Sequence, residues 1–215
     1  MVPVIAIFDV DGTLLRGDSL RMAARRSRHP FGVGIAALRL LPWLLAWWRR
    51  RITTGMFKEK TLALFHICDR VNQAEASGQH DWLLPELVNH LRPVALARLR
   101  WHQHRGDRVL LCSASPRMLL QPLADWLGVE LIATELRMHK GLWLPVLAGL
   151  NCKGPEKMQR LRAHLGSWQG SVLEAYGDSR GDRELLLAAD LPHYRSFHPE
   201  PTPYPASPSN SERPF

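Results

Sequence analysis

The stretch Val4-Ile5-Ala6-Ile7-Phe8-Asp9-Val10-Asp11-Gly12-Thr13 decides how the rest of the sequence is read. Val4 to Phe8 is an unbroken apolar run rich in β-branched residues, the pattern of a parallel strand covered on both faces. Two carboxylates and a turn-forming glycine follow at once. Two further stretches repeat this design: Arg108-Val-Leu-Leu-Cys112 runs into Ser113-Ala-Ser-Pro116, and Ser171-Val-Leu-Glu-Ala-Tyr176 runs into Gly177-Asp178-Ser179. Helical patterns succeed them, over Arg117 to Leu127 and Arg183 to Ala189. Strand, polar turn and helix, three times over, predict an α/β fold with a doubly wound parallel sheet. Ligands of such sheets bind just beyond the carboxyl ends of the strands.

Outward from these units the rhythm changes. Residues 15–95 carry helical periodicity with almost no strand signal, as in Met56 to Cys68 and Asp81 to Leu91, and read as an inserted helical cap. The α/β body is then 1–14 together with 96–198. Between Leu131 and Leu150, the β-like runs Leu131-Ile-Ala-Thr and Leu142-Trp-Leu-Pro-Val flank His139-Lys140-Gly141, the pattern of a hairpin excursion. Residues 199–215 are rich in Pro, Ser and Asn with few apolar residues, and are expected to be disordered. The N-terminal apolar run has no basic residues before it and stops at Asp9, unlike a targeting segment. Cys68, Cys112 and Cys152 are an odd number, spaced for neither a disulfide framework nor a zinc knuckle. A reducing, cytoplasmic setting is the expectation.

Three polar turns at one sheet edge are an argument for a site. Asp9 and Asp11 flank Val10 and can approach one pocket, where two carboxylates share a cation or titrate apart. Asp178 and Asp182 arrive from the third turn. An oxygen-rich cluster of this kind suits Mg²⁺, which takes one or two carboxylates along with phosphate oxygens and water. Ser113 and the amide of Ala114 supply donors from the second turn. Lys157, in Cys152-Lys-Gly-Pro-Glu-Lys157, stands at the start of a helix and offers a fixed cation. Carboxylates, donors, a fixed cation and Mg²⁺ are the parts that phosphoryl transfer needs.

Phe8-Asp9-Val-Asp11-Gly-Thr-Leu-Leu15, Val109-Leu-Leu-Cys-Ser113-Ala-Ser115, Gly154-Pro-Glu-Lys157 and Gly177-Asp178-Ser-Arg-Gly-Asp182 resemble the four ordered motifs of haloacid-dehalogenase superfamily phosphatases. The insertion after the first motif resembles the branch that contains phosphoserine phosphatase. The resemblance spans roughly residues 4–197 and implies a Rossmann-like core with a helical cap. It implies Asp9 as nucleophile, forming an aspartyl-phosphate, and Asp11 as general acid and base. Mg²⁺ would be held by Asp9, the backbone carbonyl of Asp11, and Asp178. Ser113 would bind a phosphoryl oxygen, and Lys157 would neutralise charge, with Asp182 orienting it or a metal-bound water. In that branch a Glu seven residues after the second Asp reads the substrate's amino group; here the position is Asp18, one methylene shorter.

Several of these residues also have plainer readings. Lys153 competes with Lys157 and reads otherwise as a solvated side chain. Asp182 also suits the first turn of a helix. Ser115, before Pro116, reads as a helix cap. His102-x-His104 reads as two exposed histidines rather than a metal pair, and Cys112 as a small buried strand residue.

The formal charge of +8 is concentrated in the insertion. Residues 16–60 hold 11 Lys and Arg against two acidic residues, so the remainder carries 17 against 18. Within that segment Phe31 to Trp48 has Arg39 as its one charge, flanked by Arg25-Arg-Ser-Arg28 and Arg49-Arg-Arg51. Arg39 and Pro42 near its middle argue against a spanning helix. Trp43, Trp47 and Trp48 beside three arginines fit an interfacial segment on anionic lipid. Residues 31–51 are therefore expected to make peripheral contact with the inner face of the membrane. The alternative is a cap that buries its Leu and Trp internally. Such a cap resembles phosphatidylglycerophosphatase relatives and implies a lipid phosphate substrate, with a soluble phosphoserine-type metabolite as the alternative. A nucleic-acid-binding module is not expected, because no binding motif accompanies the arginines.

Overall fold

In the computed structural model, which describes residues 2–27 and 30–198, Val4–Phe8 is the central strand β1 of a five-stranded parallel sheet. Its neighbours are β2 (Arg108–Pro116) and β6 (Val172–Gly177), with β3 (Glu130–Thr134) and β7 (Leu191–Tyr194) at the edges, in the order β3-β2-β1-β6-β7. All five residues of β1 are buried. Ala6 and Phe8 join one apolar layer with Leu111 and Tyr176, while Ile5 and Ile7 join the other with Leu110 and Leu173. This two-sided burial is why the strand is apolar throughout rather than alternating.

Between β1 and β2 come α1 (Ser19–Arg26), α2 (Pro30–Trp48), α3 (Thr54–Leu64), α4 (Ile67–Ala76), α5 (Leu84–Asn89) and α6 (Pro93–His104). Then follow α7 (Arg117–Leu127), β3, the hairpin β4 (Leu136–His139) and β5 (Leu142–Leu147), α8 (Pro155–Leu165), β6, α9 (Arg183–Ala188) and β7. The chain leaves and regains the sheet through one paired crossing. Leu15 bridges Leu91, the amide of Arg16 donates to the His90 carbonyl at 2.7 Å, and that of Arg92 to the Leu14 carbonyl at 2.9 Å.

The structure alters several local expectations. β2 continues through Ser113 to Pro116, so the second polar turn is still strand, with an irregular register against β3 between Cys112 and Pro116. Leu131 to Thr134 is the edge strand β3 and not an arm of the hairpin. The hairpin pivots on Lys140 and Gly141, whose positive φ values of 50° and 79° match the twist that favours two-residue turns. The helical pattern over Met56 to Cys68 is broken at His66, which takes φ 53° and divides α3 from α4. The arm read over Asp81 to Leu91 is helical for Leu84–Asn89.

His102 is not exposed. It follows Ala95 and Leu99 on the inward stripe of α6, with Nδ1 2.8 Å from Asp107 and Nε2 3.0 Å from the Tyr176 hydroxyl. The three cysteines are free and buried, Cys112 within β2 as its strand position predicts. The segment 199–215 and Arg28 lie outside the described residues.

The hairpin belongs with the inserted helices. The Asn72 side chain on α4 pairs with both backbone groups of Trp143, at 2.9 and 3.2 Å. Trp143 Nε1 donates to Glu75 at 2.9 Å, and the amide of Leu147 to Glu59 on α3 at 2.8 Å. Two segments far apart in sequence thus build one cap over the carboxyl edge of the sheet.

Candidate active site

β1 ends by delivering Asp9, which is 6 % exposed, into a cavity of about 190 Å³ at the sheet edge. Lys157, on the first turn of α8, donates from Nζ to Asp9 Oδ1 at 2.7 Å and to Asp182 Oδ1 at 2.5 Å. It is 2 % exposed, so a buried ammonium is shared by two buried carboxylates. Burial works against its charge, but Asp9 and Asp182 outweigh burial and hold it well above the usual lysine range. An unpaired charge at such depth would cost several kcal/mol, so this bridge fixes the relation of the first, third and fourth motifs.

The carboxylates do not share that relief equally. Asp182 is held below its ordinary value: burial opposes the charge, but Lys157 and the donors of Ser179 prevail. Its Oδ2 accepts from the Ser179 amide at 3.1 Å and hydroxyl at 2.8 Å, so both of its oxygens are engaged. Asp9 and Asp178 are pushed up, in each case first by burial and then by nearby carboxylates. Oxygens of Asp9, Asp178 and Asp182 lie within 4.8 Å of one another. Two under-compensated carboxylates, Asp9 buried and Asp178 half-buried, beside a third make a donor set that a hard divalent cation fits. The backbone makes room for it: Gly12 has φ +87°, and a Cβ there would stand 2.2 Å from Asp178 Oδ2. Likewise a Cβ at Gly177 would meet that of Asp182 at 2.7 Å.

Asp11 faces elsewhere. Its Oδ1 accepts from the Ser19 amide at 2.7 Å, and its Oδ2 from the hydroxyls of Ser19 at 3.2 Å and Ser115 at 2.5 Å. Its side chain stands outside the cation cluster, which leaves only its backbone for the metal contact expected of it. Burial, then the charge of Asp18, raises its pKa to about 6, with Ser115 and Ser19 pulling the other way. A carboxyl poised there can carry a proton and surrender it.

Ser113 lies where the sequence placed it, buried on the cavity wall, with its Oγ accepting from the Ser115 amide at 3.1 Å. Ser115 is not a helix cap: α7 begins after Pro116, and the serine hydroxyl reaches across to Asp11. Lys153 is exposed at the rim, so Lys157 is the buried partner of Asp9. Asp18 caps α1, accepting from the Arg21 amide at 2.8 Å, while also lining the cavity.

Sequence reasoning missed two site residues. Ser19, the first residue of α1, turns both its amide and its hydroxyl onto Asp11. Lys58, on α3, is buried, donates to the Ala114 carbonyl and, at 2.7 Å, to Asn151 Oδ1, and lines the same cavity. Burial lowers its pKa to about 8, against the pull of Asp11 and Asp18. A signal existed: Lys58 shares a helical face with Leu62 and Phe65, both buried, and a charge on an apolar stripe needs a reason.

Comparison with known proteins places the chain in a family. A family model for haloacid dehalogenase-like hydrolases matches residues 6–187. Protein CicA of Caulobacter vibrioides is 36 % identical over 206 residues, covering 93 % of this chain and 89 % of CicA. A protein of unknown function from Bordetella pertussis Tohama I superposes with a TM-score of 0.73 at 24 % identity, over 89 % of each chain. A phospho-aspartyl intermediate analogue of phosphoserine phosphatase gives 0.57 at 16 % identity, over 89 % of this chain and 86 % of that one. With four motifs converging on one sheet edge and the family match spanning most of its length, the chain belongs to the haloacid dehalogenase-like hydrolases.

Proposed function

We propose that this hydrolase is a Mg²⁺-dependent phosphomonoesterase working through an aspartyl-phosphate on Asp9. The observation that carries the reading is the buried bridge from Lys157 to Asp9 and Asp182, with Asp178 beside it. Asp9 Oδ1 is tied to Lys157, and among the described residues no donor reaches Oδ2, the oxygen left to attack. That oxygen forms a bond to phosphorus as the ester P–O bond breaks, and protonated Asp11 gives its proton to the leaving alkoxide. Water then attacks the phosphorus. Asp11 takes a proton from it, the Asp9–phosphorus linkage breaks, and inorganic phosphate leaves. Ser113 and the Ala114 amide receive phosphoryl oxygens, and Lys157 offsets the negative charge of nucleophile and phosphate together. Asp9, Asp178 and the Asp11 backbone would hold Mg²⁺, with Asp182 steadying Lys157 beside it. The ion's role when bound is to let an anionic carboxylate approach an anionic phosphate.

The leaving group is the finer question. A wider cavity of about 600 Å³ adjoins the site between α3 and residues 149–156, and Lys153 lines both. That room, and the basic cap around it, favour a lipid phosphate at a membrane surface. The soluble phosphoserine-type ester is the second reading, supported by Asp18 on the cavity wall. The carboxylate of Asp18 is already engaged in capping α1, which favours the first.

Asp9→Asn is expected to abolish phosphate release from a generic aryl phosphate while leaving circular dichroism unchanged. Persisting turnover would sink the mechanism. Release assays on phosphoserine, sugar phosphates and a lipid phosphate in mixed micelles decide the substrate class. Activity confined to phosphoserine would exclude the lipid.

A further inference from the structure

Helix α2 departs from the rule that a helix on a globular protein buries one stripe and wets the other. Across Phe31–Trp48, 18 residues long enough and apolar enough to cross a membrane, only Ala36 is fully buried. The inner stripe is Val33, Ala36, Leu40, Trp43 and Trp47. Val33 and Leu40 pack on the core, the Trp47 ring stacks on Phe57 at 5.4 Å, and Lys60 Nζ sits 4.5 Å over the Trp43 ring. Arg39 is the one charged residue on the exposed surface of the helix, and the face opposite the inner stripe is otherwise apolar. Phe31 is 77 % exposed, Leu38 67 % and Trp48 74 %, with Ile35, Leu41 and Leu45 between them. A contiguous apolar face of this length marks a surface that is covered in use.

The charge says what covers it. From Ser19 to Lys58 the chain has nine basic residues and no acidic one. Arg25, Arg49 and Arg51 are exposed at the two ends of the apolar face. A second copy docked there by twofold symmetry would press arginines on arginines. A nucleic acid would take the arginines and leave the apolar face in water.

We propose that the outer face of α2 docks on an anionic lipid bilayer, lying in the headgroup region with its arginines on lipid phosphates. The helix does not cross. Its inner stripe is held along α3, beside Lys58, Glu59 and Lys60, and hydrocarbon on all sides would strand those charges. The docking helix also adjoins the wider cavity. Trp47 Nε1 donates to Thr54 Oγ1 at 3.3 Å, and Thr54 lines the wider cavity next to the catalytic one. The docking face rests on the hydrolase reading only for its purpose, which is to present a membrane-borne phosphate ester.

The test is co-sedimentation of the full chain with phosphatidylcholine vesicles, with and without about a third phosphatidylglycerol. The wild type is expected in the pellet with anionic vesicles only. Phe31→Ser/Leu38→Ser/Trp48→Ser is expected to lower partitioning at least about tenfold, as removal of three buried apolar side chains requires. Arg49→Gln/Arg51→Gln, or salt near 0.5 M, is expected to lower it by about tenfold or less, since screening acts on the charges alone. Aryl phosphate hydrolysis at wild-type level certifies that each variant is folded.

Equal recovery of wild type and triple variant in the supernatant overturns the proposal. So does a dimer in solution that the triple variant dissolves, and so does retention of wild type on vesicles after an alkaline carbonate wash, which would mean a crossing helix. Vesicle binding without any aryl phosphatase activity would sink the hydrolase reading and leave the docking face standing. Activity without binding would do the reverse.

Discussion

At the scale of single residues, the two carboxylates of the first motif are separated by what surrounds them. Asp9 shares Lys157, while Asp11 is turned onto Ser19 and Ser115. Those hydroxyls donate to the charged form of Asp11 and so hold its pKa down against burial. Ser115→Ala is therefore expected to move the loss of activity with rising pH upward from about 6, by about one pH unit for a lost charge-assisted bond. The sign follows from the chemistry: protonated Asp11 is the acid for an alkyl leaving group, so a higher value keeps the acid available to higher pH. A pH profile of kcat/KM on an alkyl phosphate reads this, and an unmoved limb would reject Asp11 as the group titrating.

Lys58 gives a second prediction. It loses its charge as pH rises through about 8, so KM for the anionic ester should climb on that side. Lys58→Arg is expected to flatten the climb, and Lys58→Met to raise KM about tenfold at neutral pH with a smaller change in kcat, the pattern of lost binding rather than lost chemistry.

At the scale of elements, what was legible in the sequence is what has a period or an ordered motif. β1, the helix over Arg117–Leu127 and the lysine on the first turn of α8 follow from apolar runs, turn residues and spacing. What was not legible depends on long-range placement. Ser115 reads locally as a cap, and only the parallel pairing of β1 with β2 brings it against Asp11, 104 residues away. Leu131 to Thr134 has the same β-branched pattern whether it joins a hairpin or the sheet edge, and pairing with β2 decides the matter. His102 was legible, since Ala95, Leu99 and His102 are an i, i+4, i+7 stripe that its polar neighbours masked.

The union of the hairpin with the inserted helices is likewise a tertiary fact, and Asn72 is its joint. Asn72→Ala removes two bonds to the backbone of Trp143, at about 1 kcal/mol each. Thermal denaturation should show a fall of roughly 4–8 °C, by the usual scaling for a chain of this size. Aryl phosphate hydrolysis at low temperature should change little, because the joint lies away from Asp9. A loss of activity without a loss of stability would place Asn72 in the chemistry instead.

At the scale of the whole molecule, the electrostatics divide into two regions of opposite need. The cap carries the surplus of arginines, and the sheet edge carries buried carboxylates that Lys157 alone does not neutralise. Asp9 and Asp178 have folded-state pKa values above their ordinary ones, so their protonated forms are favoured by folding. For such groups, stability is fully present below the unfolded pKa near 3.8 and is lost as pH rises through the raised folded values. The metal-free protein should therefore surrender stability at this edge as pH rises above about 4, the ordinary carboxylate value. A divalent cation binds the deprotonated form and should restore it. Excess Mg²⁺ at about 100 times its dissociation constant contributes roughly 2.7 kcal/mol, or about 5–10 °C in thermal midpoint for this chain length. That increment should grow as pH rises above the ordinary carboxylate range and vanish with a chelator. Asp178→Asn should abolish the increment, whereas Asp11→Asn should retain most of it, because the Asp11 carboxylate is engaged by Ser19 and Ser115 rather than by the cluster. An increment that is independent of pH, or that survives in Asp178→Asn, would move the cation away from this edge and require a different account of why Gly12 leaves room beside Asp178.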